Sequence, residues 1–170
     1  FIKIREPGGA PTAEKIRKLI LNKKSKFNYT TDLMLYFASR SENIEKIINN
    51  NYKKKIILID RFTDSTIAYQ HYGMKISKKI IVSLNSFLLN KIKPDFTFVH
   101  IVSKKNLFYR LKKRIYKNKY DRFNLAFYNR VQNGFKKISK NKKNYMIVNS
   151  NNELKVNKQI IINKINSIIS

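Results

Sequence analysis

The sequence contains no cysteine and no tryptophan, only 4 glycines and 3 prolines, and 10 acidic residues against 37 basic ones. Each scarcity excludes something. Without cysteine there is no disulfide framework and no thiolate nucleophile or ligand, so a cytoplasmic protein is the expectation. With so little glycine and proline the chain is neither collagenous nor a low-complexity linker. A content of 42% hydrophobic and 12% aromatic residues separates it from disordered chains. No apolar run reaches the roughly 18 residues that a membrane-spanning helix needs. The opening Phe1-Ile2-Lys3-Ile4-Arg5-Glu6 alternates apolar and charged like a strand and lacks the apolar centre of a signal peptide. The 170 residues suffice for one domain with a real core, and residues 1–170 are expected to form it.

The formal net charge is +27. A cationic surface attracts polyanions through counterion release whatever its fold. Here, however, Lys (29), Ile (25) and Asn (21) make up 75 of the 170 residues, and all three are encoded by A/T-rich codons. The basic residues are also dispersed, in pairs such as Lys78-Lys79, Lys104-Lys105 and Lys136-Lys137. A solvated surface accounts for them, and no specific nucleic-acid or membrane partner is expected. A basic nucleic-acid-binding module stands as the alternative from a different functional class.

Apolar periodicity gives an alternation of strands and helices. Phe1 to Arg5 reads as a strand opening into the Pro7-Gly8-Gly9 turn, and Thr12 to Asn22 as a short helix. Thr31 or Asp32 can cap a long helix in which Leu33, Tyr36, Phe37, Arg40, Ile44, Ile47 and Ile48 share a face. Ile56-Ile57-Leu58-Ile59 is a continuous apolar run, suited to a strand buried on both faces of a parallel sheet. Further strands are expected at 96–102 and 145–148, and helices at 77–89, 104–116, 125–140 and 153–169. This order predicts a three-layer α/β domain in which helices flank a parallel sheet.

In such sheets ligands collect beyond the carboxyl ends of the strands. Three of the ten carboxylates stand directly beside an arginine, in Arg5-Glu6, Asp60-Arg61 and Asp121-Arg122, and the first two of these pairs fall at strand ends. An aspartate ending a strand can hold Mg²⁺ through water, and a following arginine offers a planar fork for a phosphate. Phosphoryl transfer requires this combination, because the transferred group needs neutralising and aligning. The structural alternative is an aspartate that caps the next helix beside an arginine paired at the surface.

Five blocks carry a family resemblance. They are Arg5-Glu6-Pro7-Gly8-Gly9, Tyr36-Phe37-Ala38-Ser39-Arg40, Asp60 to Gln70 (DRFTDSTIAYQ), Lys93-Pro94-Asp95-Phe96-Thr97 and Asp121-Arg122-Phe123. In order and spacing the chain resembles the thymidylate kinases of the bacterial type over nearly its whole length. The resemblance implies a P-loop nucleoside-monophosphate-kinase-like fold and transfer of the ATP γ-phosphoryl group to dTMP, giving dTDP, with Mg²⁺. Another nucleoside or nucleotide kinase of the same fold is the nearest enzymatic alternative, since a fold does not fix a substrate. The resemblance also implies a homodimer.

By position, the resemblance implies that Arg61 and Arg5 bind the acceptor 5′-phosphate and that Asp60 is catalytic and faces Mg²⁺. Tyr36 is implied to stack on thymine, and Arg40, one turn later, to reach a base carbonyl. Thr66 and Gln70 match residues that hydrogen-bond the base, Tyr69 packs near the deoxyribose, and Glu6 lies near sugar and phosphate. Arg17 comes within reach only if its helix points inward. Residues 110–122 resemble the lid that closes over ATP. Of its cations Arg110, Arg114, Lys117, Lys119 and Arg122, the first choices for catalysis are Arg114 and Arg122, and Arg110, Arg114 and Arg122 are implied to contact ATP.

The sequence departs from the family pattern in one large respect. A kinase of this kind uses Gly-x-x-x-x-Gly-Lys-Ser/Thr to cradle the donor phosphates. The glycines here are Gly8, Gly9, Gly73 and Gly134, so no such loop occurs in these residues. The expectation is a copy lacking a front unit of strand, loop and helix, about 30 residues long, and inactive on its own. His100 is expected to be packed or solvent-facing and not catalytic.

Overall fold

The structure is a computed structural model that describes residues 1–113, 115 and 118–169, without the side chain of Arg122. Strand β1 (Ile2–Arg5) pairs in parallel with β2 (Ile57–Asp60), and β3 (Thr97–Ile101) pairs in parallel with β4 (Tyr145–Asn149). Parallel pairing and alternating helices are as expected. The four strands form two separate two-stranded sheets among the described residues, so β2 and β3 are not hydrogen-bonded to each other. This changes the reading of the 56–59 run. Ile57 and Ile59 pack into the core, whereas Ile56 and Leu58 are exposed, so β2 is covered on one face only.

Among the described residues, seven α-helical segments connect and flank these strands. Helix α1 (Pro11–Leu21) begins with proline, whose missing N–H costs nothing at the first turn. Helix α2 (Tyr29–Asn43) continues through a π-helical stretch, Ile44–Ile48, and a final turn, Asn49–Asn51. Its cap is Asn28, whose Oδ1 accepts from the Thr31 N–H at 2.8 Å. The helix therefore starts earlier than a cap at Thr31 or Asp32 requires, because an asparagine side chain reaches the orphan N–H groups first.

Helix α3 (Thr63–Thr66) runs without a break into the π-helical stretch Ile67–Gly73. Helix α4 is Lys78–Leu89, α5 Lys104–Lys113, α6 Leu125–Ser139 and α7 Leu154–Ile169. A 3₁₀ turn, Lys119–Arg122, lies between α5 and α6. One core cluster packs Ile4 of β1 against Ile44, Ile48 and Leu89. A second packs Ala68 against Phe127, Tyr128 and Val131, and a third joins Leu33 and Phe37 to Ile81. Together they fix α2 and the α3 segment above the carboxyl ends of β1 and β2.

Candidate active site

The register of the first sheet places Arg5 opposite Asp60, and the Glu6 N–H extends the ladder to the Asp60 carbonyl at 2.9 Å. Two arginine–carboxylate pairs distant in sequence thus meet at one sheet end. Beyond Arg5 the chain turns through Gly8 and Gly9, both at positive φ, where side chains are disfavoured. Helix α2 holds this loop. The Gly8 N–H donates to Ser39 Oγ at 3.0 Å, the Ala10 N–H to Asn43 Oδ1 at 2.9 Å, and Asn43 Nδ2 donates to the Gly8 carbonyl at 2.6 Å. Ser39 and Asn43 are fully buried. Sequence reasoning gave Asn43 no role, and its one signal was a polar residue on the apolar face of a long helix.

The same face of α2 carries Arg40, whose side chain is only 2% exposed. Its Nε and Nη2 donate to Glu6 Oε2 at 2.9 and 2.7 Å, Nη2 also to Thr66 Oγ1 at 2.9 Å, and Nη1 to Asn85 Oδ1 at 2.7 Å. Of five guanidinium N–H groups, one on Nη1 is left for a ligand. Arg40 is therefore chiefly an organiser, binding β1, α2, α3 and α4 into one polar knot. Asn85, absent from the sequence reading, completes it. Two buried polar atoms at this level have no hydrogen-bond partner among the described residues, Glu6 Oε1 and Gln70 Nε2.

Tyr36, Tyr69, Arg17 and Arg61 form a second group, close enough for their charges to act on one another. Arg61 sits at φ 64°, a strained conformation for a residue with a side chain, and its guanidinium lies 5.0 Å from the Tyr69 ring centre. Tyr69 is braced edge-on by Phe127 at 6.1 Å and Phe135 at 6.4 Å. Helix α1 points Arg17 inward, and its Nη1 donates to the Pro7 carbonyl at 2.6 Å. Burial lowers the Arg17 guanidinium below its ordinary value, Arg5 lowers it further, Glu14 and Tyr36 oppose this, and Arg61 adds to the drop. Three cations thus share one neighbourhood. Arg5 stands 3.8 Å from Glu14, a contact too exposed to neutralise it. Asp60 is exposed at the end of β2.

The remaining assignments divide. Arg110 stands apart from this cluster, where its Nη2 donates to the Ser150 carbonyl at 2.6 Å. It borders an open cavity of about 440 Å³ that His100, Ser150, Leu154 and Asn157 also line. His100 is exposed, as expected. Arg114 and Lys117 lie outside the described residues, as does the Arg122 side chain. Asp121 serves its own turn, accepting from the Asn118 N–H at 2.6 Å. Lys119, read from the sequence as a lid cation, folds inward onto Asp32, a pairing that no sequence signal marked.

A parallel α/β protein with a cluster of arginines, two flanking tyrosines and unpaired buried hydrogen-bonding atoms at its strand ends belongs to the class that binds phosphorylated nucleosides. The thymidylate kinase family model matches residues 2–161. The chain is 37% identical to a thymidylate kinase of Wolbachia sp. subsp. Brugia malayi, over 99% of this chain and 80% of that protein. It is also 37% identical to one of Prochlorococcus marinus (strain MIT 9301), over 91% of this chain and 74% of that protein. A crystal structure of thymidylate kinase from Ehrlichia chaffeensis superposes with a TM-score of 0.76 at 29% identity, covering 97% of this chain and 79% of that one. The chain belongs to the thymidylate kinase family.

Proposed function

We propose that this chain forms the dTMP-binding part of a kinase that passes the ATP γ-phosphoryl group to dTMP. The observation that carries the reading is the pair of unpartnered buried atoms, Glu6 Oε1 and Gln70 Nε2, flanking the Arg40 knot. Burying such groups without partners costs free energy, which a ligand with the complementary edge recovers. Thr66 Oγ1 already accepts from Arg40, so its own proton is free to donate. Gln70 Nε2, the Thr66 hydroxyl and the last Arg40 N–H supply donors, and Glu6 Oε1 supplies an acceptor. This suits the acceptor–donor–acceptor edge of thymine. Cytosine would turn an amino group toward donors and leave them unpaired, which is how a small pocket rejects a near-isostere.

With the base there, Tyr36 stacks on its face, Tyr69 lies against the sugar, and the phosphate falls among Arg5, Arg17 and Arg61. These cations neutralise the acceptor dianion and hold its oxygen in line with the donor. The bond from the γ-phosphorus to its bridging oxygen then breaks as a bond to the acceptor phosphate oxygen forms. The described residues contain no group of three or more His, Cys, Asp or Glu able to cage a metal. A single exposed Asp60 fits Mg²⁺ that keeps its waters and arrives with the nucleotide. When bound, Mg²⁺ supplies charge neutralisation at the donor phosphates. Arg110 beside the cavity at Ser150 is suited to the ATP side.

Titration calorimetry of the chain against dTMP, dCMP and dGMP tests this. The expected result is selective dTMP binding, weakened at least about tenfold by Gln70→Ala and by Arg61→Ala. Equal affinity for the three nucleotides rejects the base-site assignment, and an unaffected Arg61→Ala variant rejects the phosphate assignment.

A further inference from the structure

The Lys119–Asp32 ion pair joins residues 87 positions apart and is almost wholly interior, with side chains 12% and 4% exposed. The needs of its two elements do not explain it. Helix α2 is already capped by Asn28, so Asp32 is not required there, although a carboxylate in the first turn suits the helix dipole. The turn at 119–122 has its own capping box, in which Asn118 accepts from the turn and Asp121 accepts from the Asn118 N–H. Tyr128 ties that turn to α6, its hydroxyl donating to the Tyr120 carbonyl at 2.8 Å. Each element therefore folds locally without the pair. What the pair adds is the placement of one against the other.

That placement bears on the pocket. The residue after Lys119 is Tyr120, buried and packed edge-on to Tyr36 with ring centres 6.3 Å apart. The Lys119 ammonium lies 5.6 Å from the Tyr120 ring centre and 5.9 Å from that of Phe27, so the Asp32 carboxylate and two aromatic rings surround it. The Tyr120 hydroxyl is buried beside Tyr36 and has no well-aligned partner. From the side of α2 the Tyr120 ring meets Tyr36, and the Lys119–Asp32 pair ties the neighbouring residue of the turn to the same helix. An interior ion pair is weak evidence of net stabilisation, and in some proteins such pairs serve to fix register.

We infer that Lys119 and Asp32 are a positioning pair that sets Tyr120 against Tyr36 and thereby shapes the aromatic wall of the base pocket. The inference rests on the dTMP reading for its ligand, but not for the coupling between the turn and α2. Burial raises the Asp32 carboxyl above its ordinary value, and the hydrogen bond and charge of Lys119 oppose that rise.

Three variants of the 170-residue chain, Lys119→Met, Lys119→Arg and Tyr120→Leu, test this by equilibrium binding and amide hydrogen exchange. Lys119→Met is expected to weaken dTMP roughly ten- to a hundredfold, the scale of a displaced positioning contact. Inorganic phosphate, which engages only the arginines, should bind as in the parent chain. Lys119→Arg keeps the cation and should recover most of the dTMP affinity. Unchanged dTMP binding, or an equal loss for dTMP and inorganic phosphate, overturns the inference. If Lys119→Met does not fold, Tyr120→Leu is read by the same two ligands. If the parent chain shows no preference for dTMP, the functional proposal falls, and exchange at residues 33–40 decides the pair. Faster exchange there in Lys119→Met supports it, and unaltered exchange overturns it.

Discussion

Tyr36 packs its ring edge-on to Tyr120, and its hydroxyl is pushed up to about 12, chiefly by burial. Tyr120 and Arg61 oppose that rise, and Asp32 and Tyr69 add to it. The folded chain thus holds this proton more tightly than the unfolded chain does, whose ordinary value is 10.0. Where the native state binds more protons, stability falls as pH rises. The Tyr36 contribution is therefore complete below pH 10.0 and is lost from there through about 12. Tyr36→Phe removes that component while Tyr120 and Tyr145, also raised by burial, remain. Melting curves of the two proteins should run parallel on the acid side of this window and diverge within it, the variant losing less. Curves parallel throughout reject the assignment. At this scale the sequence told residue identities better than contacts. The adjacency of Glu6 to Arg5 was legible, but the true partner of Glu6 is Arg40, 34 positions away, because only the folded sheet end brings α2 over β1.

Among elements, the α3 segment is the least legible and among the most consequential. Its π-helical stretch at Ile67–Gly73 inserts extra residues into the turn and breaks the 3.6-residue spacing by which helices are read. That distortion accompanies the burial of Gln70 and the turn of Tyr69 toward Arg61. The stretch ends at Gly73 because α6 presses against it. A Cβ at Gly73 would stand 2.6 Å from the Phe127 ring and 3.0 Å from Val131. Phe127 cannot easily yield, since it is stacked on Phe123 with ring centres 3.9 Å apart. Gly73→Ala should therefore cost about 1–3 kcal/mol, the usual price of overpacking, in urea unfolding. Because Tyr69 leans on the same Phe127, dTMP affinity should drop with it. A variant as stable as the parent rejects this close packing. The strands and remaining helices were legible because their periods are regular. The two-sheet arrangement was not, because an apolar run such as 56–59 signals burial without saying what provides it.

At the scale of the whole molecule, the residues proposed for the acceptor and for the donor separate. Arg5, Arg17, Arg61 and the Arg40 knot gather around the first sheet, and Arg110 borders a cavity beyond the second. The net charge of +27 favours the approach of an anionic nucleotide but does not choose among nucleotides. In the function proposed above, choice rests with the buried donors and acceptors, and catalysis rests on the donor phosphates being held in line with the acceptor. That second requirement is met in P-loop enzymes by backbone N–H groups of a glycine-rich loop, its lysine and its hydroxyl. No Gly-x-x-x-x-Gly-Lys-Ser/Thr occurs in the 170 residues. Binding and turnover should therefore come apart. The 170-residue chain is expected to bind dTMP selectively and yet form no dTDP above background when supplied with ATP and Mg²⁺, as followed by coupled ADP release and by direct separation of the nucleotides. Sustained dTDP formation proportional to chain concentration would mean that other residues, the lid cations foremost, suffice to hold the donor. Loss of dTMP binding and turnover together would instead place the defect in the acceptor site.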